Sequence, residues 1–142
     1  MSRAREIADL GSPAASGLSN RNLVINGAMT INQRGTQTGV RNSYGVDRFQ
    51  IAGVGAQLFT YSQSTTVPSG QGFSYSTKLD VTTADTSLAA GDYVLFRQRF
   101  EGQDFQHLKY GTSDAESLTL QFWVRSPKTG THIVELYHQD AA

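Results

Sequence analysis

Polar and apolar residues alternate along much of the chain, which is typical of β-strands with one buried and one exposed face. Between residues 73 and 81, aromatic and aliphatic side chains alternate with serine, lysine and aspartate. Similar runs occupy residues 23–31 on both sides of Asn26-Gly27, 49–51, 58–61, 92–100, 117–125 and 131–138. Roughly eight short strands without a fixed repeat predict an all-β fold, a two-sheet β-sandwich.

The pattern changes period between residues 103 and 108. Phe105 and Leu108 are three residues apart there, which places them on one side of a helical turn. We expect this turn to close one end of the sheets.

A second helical pattern lies at the N-terminus, in residues 2–10. Ser2 can cap this helix, and Ile7 and Leu10 share one face. A helix this short is marginal in water, so we expect it to become ordered against a partner. Small residues follow it in residues 11–17 and predict a linker. The expected organisation is an attachment arm with linker over residues 1–17 and a β-sandwich over residues 18–142.

Composition narrows the function. The 142 residues suffice for one domain, and 12 basic residues balance 12 acidic ones, so no electrostatic surface for nucleic acid is expected. The sequence contains no cysteine, which excludes disulfides and thiolate chemistry. No apolar run approaches the roughly 18–20 residues of a membrane span, so we expect no membrane insertion.

The sequence offers little that resembles a catalytic site. His132 and His138 are six residues apart, about 20 Å along a strand, which is too far for one metal. His107 completes the histidines, and no common catalytic or metal-binding motif is present. The carboxylates lie mostly in predicted turns or strand ends, where aspartate commonly bonds to the local backbone. We therefore expect a protein that is not an enzyme and binds no metal or cofactor.

Trp123 is the most suggestive candidate for binding. The alternate residues of its strand form a complete apolar face, consisting of Leu118, Leu120, Phe122 and Val124. Trp123 therefore faces the other way, with Gln121 and Arg125, and Tyr137 of the returning strand can extend the patch. The patch is either a platform for stacking sugars or a contact covered by another strand, the helical turn or a neighbouring subunit.

Three sequence segments carry a resemblance to known proteins: NLVINGAMTINQRGT from residue 22, YGVDRF from residue 44, and RFEGQDFQHLKYGTSDAESLTLQFWVRSPKTGTHIVELY from residue 99. Together they resemble a jelly-roll module of tail-fibre-like phage structural proteins, particularly those of marine and cyanobacterial phages. The looser pattern resembles jelly-roll carbohydrate-binding modules. In such modules an early Asn-Gly corner can lie near a structural calcium site, but no matched late aspartate is present, which favours a simple turn at Asn26-Gly27.

The resemblance implies a virion location and a jelly-roll form of the sandwich. It implies a tail-fibre or appendage subunit, homotrimeric, that contacts other virion proteins and supports host attachment. The attachment residues expected in the arm are Arg3, Arg5, Glu6, Ile7 and Leu10. Two alternatives are a module that recognises a host surface glycan and a head decoration or head-fibre protein.

Proteins of this type usually continue beyond the position of residue 142. The sandwich is therefore expected to lack its last strands, leaving an open sheet edge that favours aggregation unless it is covered. Either the chain is the N-terminal part of a longer protein, or neighbouring copies supply the cover.

Overall fold

The computed structural model describes residues 22–138. The predicted helix of residues 2–10 and the attachment residues Arg3, Arg5, Glu6, Ile7 and Leu10 lie outside this range. The described elements are strands β1 (Gln37–Val40), β2 (Ser43–Tyr44), β3 (Phe49–Val54), β4 (Leu58–Ser64), β5 (Ser76–Thr83) and β6 (Tyr93–Gln98), then a 3-10 helix (Gly102–Leu108).

The six strands form two antiparallel sheets of three strands each. The first sheet has the order β1-β4-β5 and the second has the order β2-β3-β6. Consecutive strands therefore switch between sheets, at β1 to β2, β3 to β4 and β5 to β6. This confirms the all-β fold with little helix.

The core joins the two sheets. It contains Phe59 and Tyr61 of β4, Ile51 of β3, and Val46 from the turn before β3. Phe59 and Tyr61 are two residues apart, so they share the face of β4 that looks inward. Tyr61 and Ile51 are completely buried. The strands predicted at residues 49–51 and 58–61 are thus confirmed as the two central strands.

The core is open on the side of β5 and β6. Val81 pairs with buried Phe59, and Phe96 pairs with buried Ile51, so both residues lie on inner faces. Phe96 stacks on Phe49 with ring centroids 5.1 Å apart. Nevertheless Val81 is 60% exposed and Phe96 is 39% exposed. Within residues 22–138, β5 pairs only with β4 and β6 only with β3, so both outer edges are free.

The strands predicted around the Asn26-Gly27 turn are absent from the described part of the chain. The turn itself is present, with Asn26 at φ 59°, a left-handed conformation that asparagine tolerates. The backbone N–H of Ile25 donates to the Gln98 side-chain oxygen, and the Gln98 amide donates back to the Ile25 carbonyl, at 2.9 and 2.7 Å. The Gln98 side-chain amide thus supplies the two backbone hydrogen bonds that a neighbouring strand would form with Ile25.

The C-terminal part also differs from the prediction. The helical turn at residues 103–108 is confirmed as the 3-10 helix, in which Leu108 is buried. Residues 117–125 and 131–138, predicted as paired strands, carry no strand assignment in the structure. Alternation reveals which side chains share a face, but it does not supply a neighbouring strand, and these segments have none within residues 22–138. Among those residues there is also no helix long and apolar enough to cross a membrane.

Candidate functional site

The opening loop and the YGVDRF segment meet through Asn26. Its side-chain amide donates to the carbonyls of Ile31 and Asp47, at 2.9 and 3.0 Å, and its oxygen accepts from the Ile31 N–H at 3.1 Å. The Asp47 N–H donates to the Ile31 carbonyl at 3.1 Å. Two of the three segments that carry the resemblance are therefore bonded to each other, and Asn26 is a structural residue of this junction.

A cavity of about 640 Å³ lies beside this junction, and we call it the polar cleft. Its lining combines apolar, amide and charged side chains: Ile25, Asn26, Ile31, Gln33, Arg34, Tyr44, Asp47, Arg48, Arg99 and Glu101. Three of these residues are arginines and two are carboxylates. The cleft therefore combines polar and apolar surface, with a small excess of positive charge.

Asp47 contacts two neighbouring parts of the polar cleft. Its carboxylate accepts the backbone N–H of Gln33 at 3.1 Å and lies 3.8 Å from the Arg34 guanidinium. The Arg34 guanidinium also lies over the ring of Tyr44, 5.9 Å from its centroid. Arg34 thus contacts both a carboxylate and an aromatic ring, and its half-exposed guanidinium is open to bidentate contacts with a ligand.

Backbone conformation adds to this arrangement at Arg48, whose φ is 76°. A left-handed conformation is uncommon for a residue other than glycine. Arg48 adopts it immediately after Asp47, the residue that joins the two motifs. Glu101, also in the lining, precedes the 3-10 helix and forms a capping box with Asp104. Local hydrogen bonding therefore orients Glu101 in the cleft.

The polar cleft presents charged, amide and aromatic groups. Guanidinium, carboxylate and amide groups bind hydroxyl or carboxylate groups of a ligand, and Tyr44 presents a partly exposed ring. Within residues 22–138, no three histidine or acidic side chains form a group that could hold a metal ion.

A second depression of about 300 Å³ lies on the open side of the core, and we call it the inter-sheet groove. It is lined by Gln57, Phe59, Val81, Ala84, Asp85, Leu88, Asp92, Tyr93 and Val94. Gln57 is buried, with an exposed fraction of only 7%. Its side-chain oxygen has no hydrogen-bond partner among the described residues. Its amide nitrogen is used, donating to the carbonyls of Val54 and Tyr93.

Asp85 places a negative charge in the inter-sheet groove. Its carboxylate accepts the backbone N–H groups of Ala56 and Ser87, at 2.7 and 3.0 Å. These two hydrogen bonds, with a smaller contribution from Arg41, hold the pKa of Asp85 below its usual value. Asp85 is therefore ionised over the whole neutral range.

The site predicted around Trp123 is exposed. Trp123 is 58% exposed and Tyr137 is 73% exposed, and Gln121 and Arg125 are also exposed. In the described part of the chain, no strand and no side-chain hydrogen bond joins these four residues to the sheets. Their predicted role as a glycan or subunit contact stays a prediction.

The sequence pattern does not predict the polar cleft. Its members are far apart in the chain, since Arg34 and Tyr44 belong to the first motifs and Arg99 and Glu101 follow β6. The only signal was the charged pair Asp47-Arg48 inside YGVDRF. Comparison with protein-family models, with curated proteins and with solved structures finds no match for this chain.

Proposed function

We propose that the protein is a structural subunit of a phage virion, part of a tail fibre or related appendage, and acts by assembly and not by catalysis. The observation that carries this proposal is an exposed apolar surface that one copy does not bury. Leu120 and Phe122 are 50% and 54% exposed on the unpaired segment, and Val81 and Phe96 are exposed on the open core. Large exposed apolar surfaces of this kind mark sites of association.

The jelly-roll form of the fold belongs to the same proposal. Six strands in two antiparallel sheets are present, and the alternating segments 117–125 and 131–138 would raise the number to eight, the number in a jelly roll. The motif resemblance supports a tail-fibre type of subunit, and the arm of residues 2–10 would attach it to the particle. A homotrimer is the expected assembly.

Localisation on the particle tests this proposal. A phage carrying the epitope-tagged chain is imaged by electron microscopy with a labelled antibody, and we expect label on the tail or its appendages. Label on the head would instead support a head decoration or head-fibre protein, and unlabelled particles would contradict a virion role. Deleting residues 1–11 should abolish incorporation and leave the circular dichroism spectrum of the sheets unchanged.

A second candidate function is recognition of a host surface glycan, and the polar cleft favours it. Tyr44, Arg34 and Asp47 combine an aromatic ring with charged hydrogen-bonding groups held in place by one another. Sugars present both apolar C–H groups and hydroxyls, which suit such a combination. Binding of the purified chain to a glycan array tests this function, and the absence of binding to any surface glycan of the host would contradict it.

A further inference from the structure

The inter-sheet groove has the features of a site that receives a β-strand. Val81 on β5 and Val94 on β6 both lie on inner faces, and they are 60% and 45% exposed. The free edges of β5 and β6 flank them. An added strand could therefore complete a backbone ladder and cover the open core at the same time.

The same chain carries a segment with the matching pattern. In a strand, residues 117–125 would place four apolar side chains on one face, and every one is at least 41% exposed in the structure: Leu118, Leu120, Phe122 and Val124. Nine extended residues span about 30 Å. This length exceeds the six residues of β6 and the eight of β5, so the segment can cover either edge completely.

The charges of the two partners also match. Asp85 and Asp92 make the groove acidic. The segment ends in Arg125, on the face opposite to its apolar side chains, and is followed by Lys128. Opposite charges at the rim of a contact favour association, so an occupant flanked by basic side chains is favoured.

The segment forms no hydrogen bond with the sheets of its own chain among the described residues. Just before it, the Glu116 N–H donates to the carbonyl of Leu108 at 2.9 Å, and Leu108 is buried. From residue 117 onward, the described chain makes no hydrogen bond to either sheet; its side-chain hydrogen bonds join only Ser126 and Lys128. Donor and acceptor surfaces are therefore both exposed on one copy.

We propose that residues 117–125 of one copy pair as an added strand with the free edge of β6, in the inter-sheet groove of a second copy. Each copy donates one strand and accepts one, so a closed ring of copies leaves no groove empty. This inference rests on the proposed function, because it names the contact by which the subunits assemble. The second copy is the partner, since its groove offers the apolar surface, the acidic rim and the free strand edge that the segment matches.

The absence of cysteine from the chain permits a direct test by cross-linking. Leu120→Cys and Phe122→Cys are made as donors and Val94→Cys as the acceptor, each in the full chain. Facing residues of paired strands have β-carbons about 4.5–5.5 Å apart, close to disulfide geometry. Thr65→Cys is the matched control acceptor. Residue 65 follows the C-terminal end of β4, whereas Gln57, which lines the groove, precedes the N-terminal end of the same strand.

A donor and the Val94→Cys acceptor are mixed as separate proteins, oxidised and run on a non-reducing gel. We expect a disulfide-linked pair with Val94→Cys and at least tenfold less with Thr65→Cys. Equal cross-linking to both acceptors, or none to Val94→Cys, would overturn the inference. So would a donor-acceptor double variant that cross-links only within single chains, which would show docking on the same copy.

Strand donation and the virion role can fail independently. The native mass of the protein and its antibody labelling on the particle distinguish the two failures. A multimer found on the particle without the cross-link rejects strand donation and leaves the virion role intact. A cross-link in a protein that is absent from the particle supports strand donation and rejects the virion role.

Discussion

Gly45 leaves the space that the ring of Tyr61 occupies. A β-carbon on residue 45 would lie 2.5 Å from Cδ1 and from Cζ of that ring, well inside van der Waals contact. Tyr61 is completely buried and its ring also lies edge-on to Phe96, with centroids 6.1 Å apart. The glycine of YGVDRF is therefore required by the core and not by a turn.

Replacing Gly45 by alanine should destabilise the fold. The added methyl group overpacks the core, and such substitutions typically cost about 1–3 kcal/mol of unfolding free energy. Chemical denaturation followed by tyrosine and tryptophan fluorescence measures the change. Gly91→Ala is the matched control, since a β-carbon there meets no atom within 4 Å, and it should change stability by less than about 0.5 kcal/mol. Equal stability of the two variants would contradict the role of Gly45.

Asn26→Ala should lower stability more than Asn26→Gly. Both substitutions remove the side-chain hydrogen bonds to Ile31 and Asp47, at a cost of about 1–3 kcal/mol. Only alanine adds the strain of the left-handed conformation, about 1 kcal/mol more. Thermal unfolding of both variants against the parent protein separates the two effects. A glycine variant as unstable as the alanine variant would rule out backbone strain at Asn26.

Stability should fall in alkaline solution because of Tyr61. Burial raises the pKa of Tyr61 from 10.0 to about 12, so the unfolded chain loses this proton at a lower pH than the folded one. The contribution is complete below pH 10 and is lost as the pH rises towards 12. We expect a decrease on the order of 1–2 kcal/mol in the unfolding free energy across this interval. Tyr61→Phe should remove that part of the pH dependence, and an unchanged slope would assign it elsewhere.

Phe122→Lys should weaken assembly at least tenfold. If residues 117–125 pair with a second copy, this substitution places a charge on the face that becomes buried, which is strongly unfavourable. Thr119→Lys adds the same charge on the opposite face and should leave assembly unchanged. Analytical ultracentrifugation over a range of concentrations measures both variants. Equal assembly by the two would show that the apolar face of the segment is not the contact.

Tyr44→Ala should lower glycan affinity about tenfold if the polar cleft is the binding site. The substitution removes the aromatic face over which Arg34 lies, and a loss of about 1.4 kcal/mol corresponds to a factor of ten. Trp123→Ala is the comparison, and it should bind as the parent does. Isothermal titration with a sugar that binds on the array measures both. Loss of binding only with Trp123→Ala would move the site to residues 121–125.

The sequence predicted the central strands because their alternation coincides with burial. Phe49 and Ile51 face the core in β3, and Phe59 and Tyr61 do so in β4. Prediction failed at residues 23–31, since the amides of Gln98 and Asn26 supply there the hydrogen bonds expected from a neighbouring strand. Residue type does not show which backbone groups a side-chain amide will meet.

The candidate sites were less accessible to prediction. The polar cleft depends on the approach of residues 34–48 to residues 99–101, which only the folded chain shows. The alternation of residues 117–125 predicted a strand, but the structure has no strand there and both sets of alternate side chains are exposed. Alternation of apolar and polar residues predicts which face of a strand is apolar. It does not predict the surface that covers this face, because that surface belongs to another part of the chain or to another chain.

The junction at Asn26 is also a site of chemical deamidation. Asparagine followed by glycine loses ammonia more readily than other asparagines, because the next backbone nitrogen is unhindered, and Gly27 follows Asn26 here. Deamidation would replace the nitrogen that bonds to the Ile31 and Asp47 carbonyls by an oxygen that repels both. Ageing of the protein would thus begin at the contact that joins its first two motifs.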